Sequence, residues 1–571
     1  MMHTTFKDDF LIRSGSRFRD LFRIMVYPEK NFPKLIIIYT AAICILNLII
    51  PVAIQMVINN IGARHLAQPI IILSLLLLFM LTFSGIFQIL NNYLVEMLKR
   101  RLTIRFGAII VERISRYKDE VYQQINTPDL INRFFDVFVA QTSMVVFFAD
   151  GSAFILQALI GFTLLAFYHP FFLGFTVFTI GLLIFSWIYT GPKGVDAGSP
   201  EANGKYNLVS WMEDVGRARY LFMSKSARNF ALNKYTKLVD EWLVVRENLF
   251  KCQIRQSAIL QFTNAITYSL LISVGGMLVL KHELTAGQLV AASVVVAIIF
   301  TNLSRLQNFF TSIYDFSTSL DKIAQFYDYP IEKDVDNGVK IEKFGIEIKN
   351  VFEKPNFSFD FAIKERTRNL MIVKSFSAKN VLLKILYGNI EIKKGDYYIG
   401  GINVIDIGYN NLRDSMIIIK DGRYFNGTIK ENLTAFTDKQ FTYTQIEEAL
   451  EKVGLKENIM NLPLKLDTMI GPTGHPLTNS QLLALQFAKA LLEVPKILIV
   501  TTDFEKISTA KRKKIFPLIT SSSAPWTLIF FSQRIYPKDP FDNFFHVNRS
   551  NVYPYENYLS LLKDLATHEL Y

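Results

Sequence analysis

Apolar residues run together in long blocks before about residue 310 and in short, spaced runs after it. A bilayer core about 30 Å thick takes about 20 apolar residues in one helix. Six stretches meet that length, near residues 35–57, 69–90, 144–167, 170–189, 258–280 and 288–309. The fourth follows the third after only Tyr168, His169 and Pro170, which predicts a tight hairpin. The links after spans 1, 3 and 5 are short and hold almost no basic residues, Arg64 and Lys281 among them. The links after spans 2 and 4 are long and basic, with Lys99, Arg100, Arg101 and Arg105 in one and Arg217, Arg219, Lys225 and Arg228 in the other. This asymmetry predicts that the long links and both termini are cytosolic. Both links are helix-compatible, so the spanning helices are expected to continue past the lipid.

The N-terminal arm carries Arg13, Arg17, Arg19 and Arg23 where a signal peptide would hold an apolar core. Residues 17–26 alternate basic and large apolar positions. They read either as a helix on the inner membrane surface or as an ordinary solvated helix. With about 34 residues before the first span, no peptidase-like domain is expected ahead of it. After Pro330 the pattern changes. Short β-rich runs such as 339–352 and 403–408 alternate with helical patterns such as 445–453 and 481–493, which predicts an α/β domain.

Composition narrows the function. The chain has 571 residues, of which 50% are hydrophobic and 20% charged, so wholesale disorder is excluded. Two cysteines, Cys44 and Cys252, exclude a disulfide scaffold and CxxC metal chemistry. The formal charge of +12 divides as +8 over residues 1–330 and +4 over the rest. A basic surplus in the apolar half fits a membrane protein with cytosolic basic flanks better than a nucleic-acid partner. The run Lys511–Arg512–Lys513–Lys514 reads as a solvated helix face, and no nucleic-acid motif accompanies it. The seven histidines show no metal spacing. The 48 phenylalanines read as packing and lipid contact. Asp150, Asn264 and Asn302 fall inside or beside spans, where a polar side chain lines a pathway or bonds between helices.

A collinear set of short motifs then carries a resemblance. Residues 474–481 read GHPLTNSQ and are followed by LLALQFAKALLEVPKILIV. This is similar to the ABC-transporter segment in which an LSGGQ signature opens a helix and a strand ending in Asp-Glu follows. Residues 427–433, GTIKENL, resemble the "G-T-I-x-E-N" stretch after the Q-loop. Residues 371–388 have the length and apolar tail of a Walker A strand, loop and helix, and 527–534 resemble the strand and turn of the switch histidine. In the apolar half, DLINR at 129–133 resembles an exporter's first coupling loop, and LTAGQL at 284–289 resembles the lead-in to a sixth span. The chain resembles exporter-type ABC half-transporters, closest in style to type I secretion and peptide exporters. The fold this implies is a six-helix transmembrane domain over 35–330, after a cytosolic arm at 1–34, followed by a P-loop NTPase-like ABC domain over 331–571.

The resemblance also shows what the nucleotide site has lost. A P-loop cradles phosphate with inward backbone N–H groups, and its glycines let the backbone approach closely. The equivalent stretch here is VKSFSAKN, 373–380, with Ser375 and Ser377 in the loop and Lys379 at the Walker lysine. Val373, Phe376 and Ala378 replace the glycines, and Asn380 replaces the magnesium hydroxyl. Lys379 reads as a residual phosphate contact or, preferably, as a solvated lysine at a helix start. The Q-loop glutamine aligns with Lys420, the Walker B carboxylates with Thr501 and Thr502, and the switch histidine with Gln533. Asp503 lies two positions on and is not expected to substitute. No catalytic station is intact, so this chain is not expected to hydrolyse ATP with its own P-loop. The signature keeps Leu477, Thr478 and Gln481, with Asn479 and Ser480 in place of glycines. Residues 478–481 could face a partner's intact Walker motifs, or merely cap a buried helix.

The expected function is therefore a subunit of an exporter that moves a peptide, protein or lipophilic molecule outward. ATP and magnesium would sit only at a site shared with a partner, and no further metal is expected. The partner would be a second half-transporter, in a heterodimer rather than a homodimer, with the lipid bilayer and a secretion adaptor as further partners and no nucleic acid. The expected location is a bacterial inner membrane. The alternatives are a non-transporting scaffold or regulator, and a homodimer that binds nucleotide without cleaving it.

Overall fold

The computed structural model describes residues 17–568 except 63–67, 302, 333–338, 340, 354–355, 423, 538 and 549, and without the side chains of 17–21, 62, 301, 303–305 and 566–568. Arg13, Arg64, Asn302 and the side chains of Arg17 and Arg19 thus lie outside the described residues. The chain divides into two compact units, Met1–Ile331 and Glu332–Tyr571.

The first unit is helical. Among the described residues, five helices are long and apolar enough to cross a membrane: Asn31–Ile61, Gln68–Arg116, Thr127–Tyr168, Pro170–Arg217 and Lys225–Leu280. The stretch expected as a sixth span is helical over Ala286–Thr301 and Leu303–Asp328, on either side of residue 302, which lies outside the described residues. Thr285 and Gln288 open that sixth element by exchanging hydrogen bonds of 2.8 and 3.1 Å between side chains and backbone N–H groups. The hairpin between the third and fourth spans turns at His169, whose Nδ1 accepts the Phe171 N–H at 3.1 Å, while Pro170 occupies the first helical position.

The first span is broken at Leu48, between helices Asn31–Asn47 and Ile49–Gly62. Pro51 lies four residues after Asn47 and has no N–H to give its carbonyl, so the helical ladder fails there. Four polar residues on this span, Thr40, Cys44, Asn47 and Gln55, tie it to its neighbours. Thr40 accepts from Asn91 Nδ2 at 3.4 Å and Asn47 Oδ1 from Ser84 Oγ at 2.8 Å. Cys44 Sγ donates to the Ala153 carbonyl at 3.8 Å, and Gln55 Oε1 accepts from Tyr168 Oη at 2.6 Å.

The long links are largely helical, interrupted at residues 117–118, 125–126, 133–134 and 218–224. The reversal between the fourth and fifth spans falls at the 3₁₀ turn Arg219–Phe222. Residues 206–216 continue the preceding 48-residue helix and do not form a separate element. Near the short helix Thr127–Asn132, polar groups pair inside the bundle. Tyr206 donates to the Asp136 carboxylate, Lys322 to Asn203 Oδ1, and Asn132 Nδ2 to Glu213 Oε1 at 2.5 Å.

The second unit is α/β. Its strands are β1 Ile346–Glu353, β2 Phe357–Ile363, β3 Arg368–Val373, β4 Asp396–Ile399, β5 Ile402–Asn403, β6 Met416–Ile419, β7 Gly427–Thr428, β8 Met469–Ile470, β9 Ile497–Val500, β10 Thr527–Ser532, β11 Asn543–Val547 and β12 Val552–Tyr555. One sheet runs β2-β1-β4-β5 and is antiparallel. The larger runs β12-β11-β3-β10-β9-β6 and is parallel except at the β12 edge. Alternate residues of the parallel strands feed two cores: Leu370, Leu498, Val500 and Phe530 enter one, and Met371, Ile497, Ile499 and Phe531 the other. A parallel sheet covered on both faces needs such continuous apolar runs. Residues 403–408, read as β-rich, are strand only at Asn403. Asn403 Oδ1 caps the short helix Val404–Ile407 by accepting the Ile405 N–H at 3.0 Å, and Gly408 at φ +80° ends it. At the start of β3, Arg368 grips Asp542 through its backbone N–H, Nε and Nη2 at 2.8, 2.9 and 2.6 Å.

Candidate functional site

In an open α/β sheet, ligands bind beyond the carboxyl ends of the parallel strands. Here those ends bring together the loops after β3, β6, β9 and β10, and with them most of the residues singled out above.

After β3, Lys374 and Ser375 lead into the helix Phe376–Leu386. Ser375 caps it by accepting the Ala378 N–H at 3.3 Å. Ser377 and Asn380 are exposed. Lys379 is not solvated: it is only 7% exposed. Its Nζ donates to Thr502 Oγ1 at 3.2 Å and lies 4.7 Å from the centre of the Phe376 ring. That ring is 51% exposed and covers the amine from outside. Burial pushes the amine below the ordinary lysine value; Asp503 pulls it up, and Lys420 and Lys506 push it down.

After β9, Thr501 is buried, and its hydroxyl donates to the Ile419 carbonyl at 2.9 Å and lies 3.1 Å from Asp503 Oδ2. Asp503 also accepts the Asp421 N–H at 3.1 Å and pairs with Lys506 at 2.8 Å. Burial pushes its carboxyl up, but the bonds from Lys506, the Asp421 N–H and Thr501 outweigh that and leave it below the usual carboxylate range. Lys506 pairs with Asp421 too, at 2.9 Å, so one ammonium joins the loops after β6 and β9. Lys420 exchanges backbone hydrogen bonds with the Gln486 amide at 3.1 and 2.8 Å. After β10, Gln533 is exposed, and its N–H donates to Glu505 Oε1 at 3.3 Å, the carboxylate that also holds Ser532 at 2.9 Å and Arg534 at 3.3 Å.

Thr478–Gln481 stand apart from this cluster, at the start of the helix Asn479–Glu493. Thr478 and Gln481 form a capping box, with the Thr478 N–H giving to Gln481 Oε1 at 2.8 Å and the Gln481 N–H to Thr478 Oγ1 at 3.3 Å. Thr478 and Asn479 are exposed, and Ser480 Oγ accepts the Ser508 N–H at 2.9 Å. The helix N-terminus is therefore presented outward with its positive end accessible.

The sequence missed the Asp421–Lys506–Asp503 ion pairs and the Glu505 anchor. Their only signal was the run of charges just past the strand 497–500. No group of three or more His, Cys, Asp or Glu able to hold a metal occurs among the described residues.

The backbone superposes on that of a bacterial Atm1-family ABC exporter with ATP bound, with a TM-score of 0.79 over 96% of each chain at 17% identity. The fold is that of an ABC exporter. The sequence similarity lies in the same superfamily. The chain is 21% identical over 88% of its length to the transport/processing ATP-binding protein ComA of Streptococcus pneumoniae, covering 71% of that protein. It is 20% identical over 86% of its length to the lactococcin-A transport/processing ATP-binding protein LcnC of Lactococcus lactis, again covering 71%. Over 48% of this exporter-fold chain, identity to the uncharacterized ABC transporter ATP-binding protein YknV of Bacillus subtilis is 26%, and the match spans 47% of that relative. No family model matches the chain. ATP with magnesium is the general ligand of the superfamily, and membrane-crossing helices followed by an ATPase-like sheet domain are its general plan.

Proposed function

We propose that this chain is one half of an ABC-type exporter that has lost its own ATP-hydrolysis motifs and works with an ATPase-competent partner half. The observation that carries the reading is the engagement of Lys379 with Thr502, beneath the Phe376 ring. In a phosphoryl-transfer site the corresponding amine must reach phosphate oxygens, and carboxylates must hold magnesium and direct water. Here a hydroxyl takes the amine, Thr501 is spent on a backbone carbonyl, and Asp503 is neutralised by Lys506. These side chains, already committed to one another, do not fit a magnesium–triphosphate group.

The exposed N-terminus at Thr478–Gln481 supports a shared site instead. The capping box takes the Thr478 and Gln481 N–H groups, and the exposed helix start with its positive dipole end suits a phosphate held by a partner's Walker motifs. ATP and magnesium then bind only there, in a heterodimer. We read residues 1–34 as a cytosolic arm, 35–330 as the transmembrane domain and 331–571 as the degenerate nucleotide domain. Both termini face the cytosol of a bacterial inner membrane. We read the cargo as a peptide, protein or lipophilic molecule moved outward, with a secretion adaptor as a further partner; the transport/processing names of ComA and LcnC support the transport part of that reading.

The test is co-reconstitution with an ATPase-competent half in vesicles. The lone chain is expected to release no phosphate from ATP. The pair is expected to hydrolyse ATP and transport, and both activities should vanish when the partner's catalytic glutamate is changed to glutamine. Hydrolysis without vectorial transport would assign a scaffold role, and hydrolysis by the lone chain would end the proposal.

A further inference from the structure

We infer that a pocket at the break in the first span binds a neutral peptide-amide group with apolar flanks, carried by the exported molecule. The pocket lies where the first, third and sixth spans meet and offers about 30 Å³ of space for water centres. At ~10–15 Å³ per water this is room for one amide or side-chain-sized group, not a whole molecule.

Its chemistry is specific. Leu48, Pro51, Ile160, Val295 and Ile299 give apolar walls, and Asn47 and Gln157 bring amides. No charged side chain lines it among the described residues, so a charged group would be desolvated there without a counter-ion. Asn47 Oδ1 accepts from Ser84 Oγ at 2.8 Å, so of its amide it is the NH₂ that we assign as donor to a bound group. Pro51 withholds the N–H that the Asn47 backbone carbonyl would receive in an unbroken helix. On this assignment Asn47 supplies a donor from its side chain and an acceptor from its backbone, the complement of a peptide C=O and N–H. Gly161 lets the third span approach the sixth at this point: a Cβ there would lie 2.8 Å from Val295 and 3.3 Å from Ile299. The break, the amide and the close approach together build the site.

Cys44, also in the lining, is a native reporter. Full-length protein carrying Cys252→Ser, in nanodiscs of ester-linked phosphatidylcholine, is treated with N-ethylmaleimide, and alkylation of Cys44 is followed by intact mass. Excess N-acetyl-leucyl-leucinamide, which is neutral, is expected to slow labelling at least about threefold. N-acetyl-leucyl-leucine, which carries a carboxylate, is expected to leave it unchanged. In Asn47→Leu the protection by the amide should disappear. Equal protection by both compounds, none by either, or full protection in Asn47→Leu overturns the site. So does complete resistance of Cys44 to labelling, because a ligand site must be reachable. If ether-linked lipids, which lack the ester carbonyl, speed labelling threefold with no peptide present, the occupant is lipid and the inference falls. The comparison of the two dipeptides uses an intact pocket and stands even if Asn47→Leu fails to fold. The inference rests on the exporter reading, but the two fail separately. Protection without partner-driven transport removes only that reading, and transport without protection removes only this site.

Discussion

Replacing Lys379 by methionine isolates the reasoning about the P-loop. The change removes one hydrogen bond from a charged donor, worth about 1.5–3 kcal/mol, and an aromatic contact of about 0.5–1 kcal/mol. It also removes the cost of keeping an ammonium in a site where the side chain is 7% exposed, a penalty of several kcal/mol for a buried ion. The terms nearly cancel, so Lys379→Met is expected to change stability by no more than about 1 kcal/mol, or about 2–4 °C for a unit of this size. Nucleotide makes the contrast. A P-loop that bound ATP at one hundred times its Kd would gain about 2.7 kcal/mol, a rise of about 5–11 °C. Scanning fluorimetry of the full-length protein in nanodiscs, with and without magnesium and ATP, is expected to give flat responses for both wild type and Lys379→Met. A rise of that size in the wild type, abolished in the variant, would refute the view that the amine is committed to Thr502.

Two further outcomes are expected. Thr501→Asp, which restores a carboxylate at the Walker B position, should lower stability by about 2 kcal/mol in chemical denaturation and leave ATPase absent, because the new oxygens would face the Ile419 carbonyl that Thr501 now donates to at 2.9 Å. Asp542 is held below the usual carboxylate range by Arg368. A depressed carboxyl stabilises above its unfolded pKa of about 3.9 and loses that contribution as pH falls through the lower folded value. Asp542→Asn should therefore cost about 1 kcal/mol at pH 7, since the pair is partly solvated, and progressively less in urea titrations as pH falls below the unfolded pKa of about 3.9.

Much of the architecture was legible because collinear motifs survive the loss of their chemistry. The strand–loop–helix at 368–386 and the capped helix at 479–493 depend on apolar alternation and a capping hydroxyl, which Ser375 and Thr478 retain. Asparagine and glycine signals were readable but underweighted at 403–408, where Asn403 starts a helix within a β-rich composition. Lys379 was read as solvated because position in a motif does not reveal burial; the Phe376 ring and the Thr502 hydroxyl that enclose it come from different loops. The break in the first span had a visible signal in Pro51, but the hydropathy window averages over it. The Asp421–Lys506 pair joins residues 85 apart and had no local pattern to betray it.

The length of two of the membrane helices has a mechanical consequence. With 48 and 56 residues, Pro170–Arg217 and Lys225–Leu280, the helices either side of the Arg219–Phe222 turn, extend about 72 and 84 Å at 1.5 Å per residue. Lipid takes up only about 30 Å of each. The remaining ~40–50 Å behaves as a lever arm, so a tilt of about 5° within the bilayer swings the Arg219–Phe222 tip by about 4 Å. A displacement too small to disturb lipid packing is thus amplified, at the far end, to the size of a side chain.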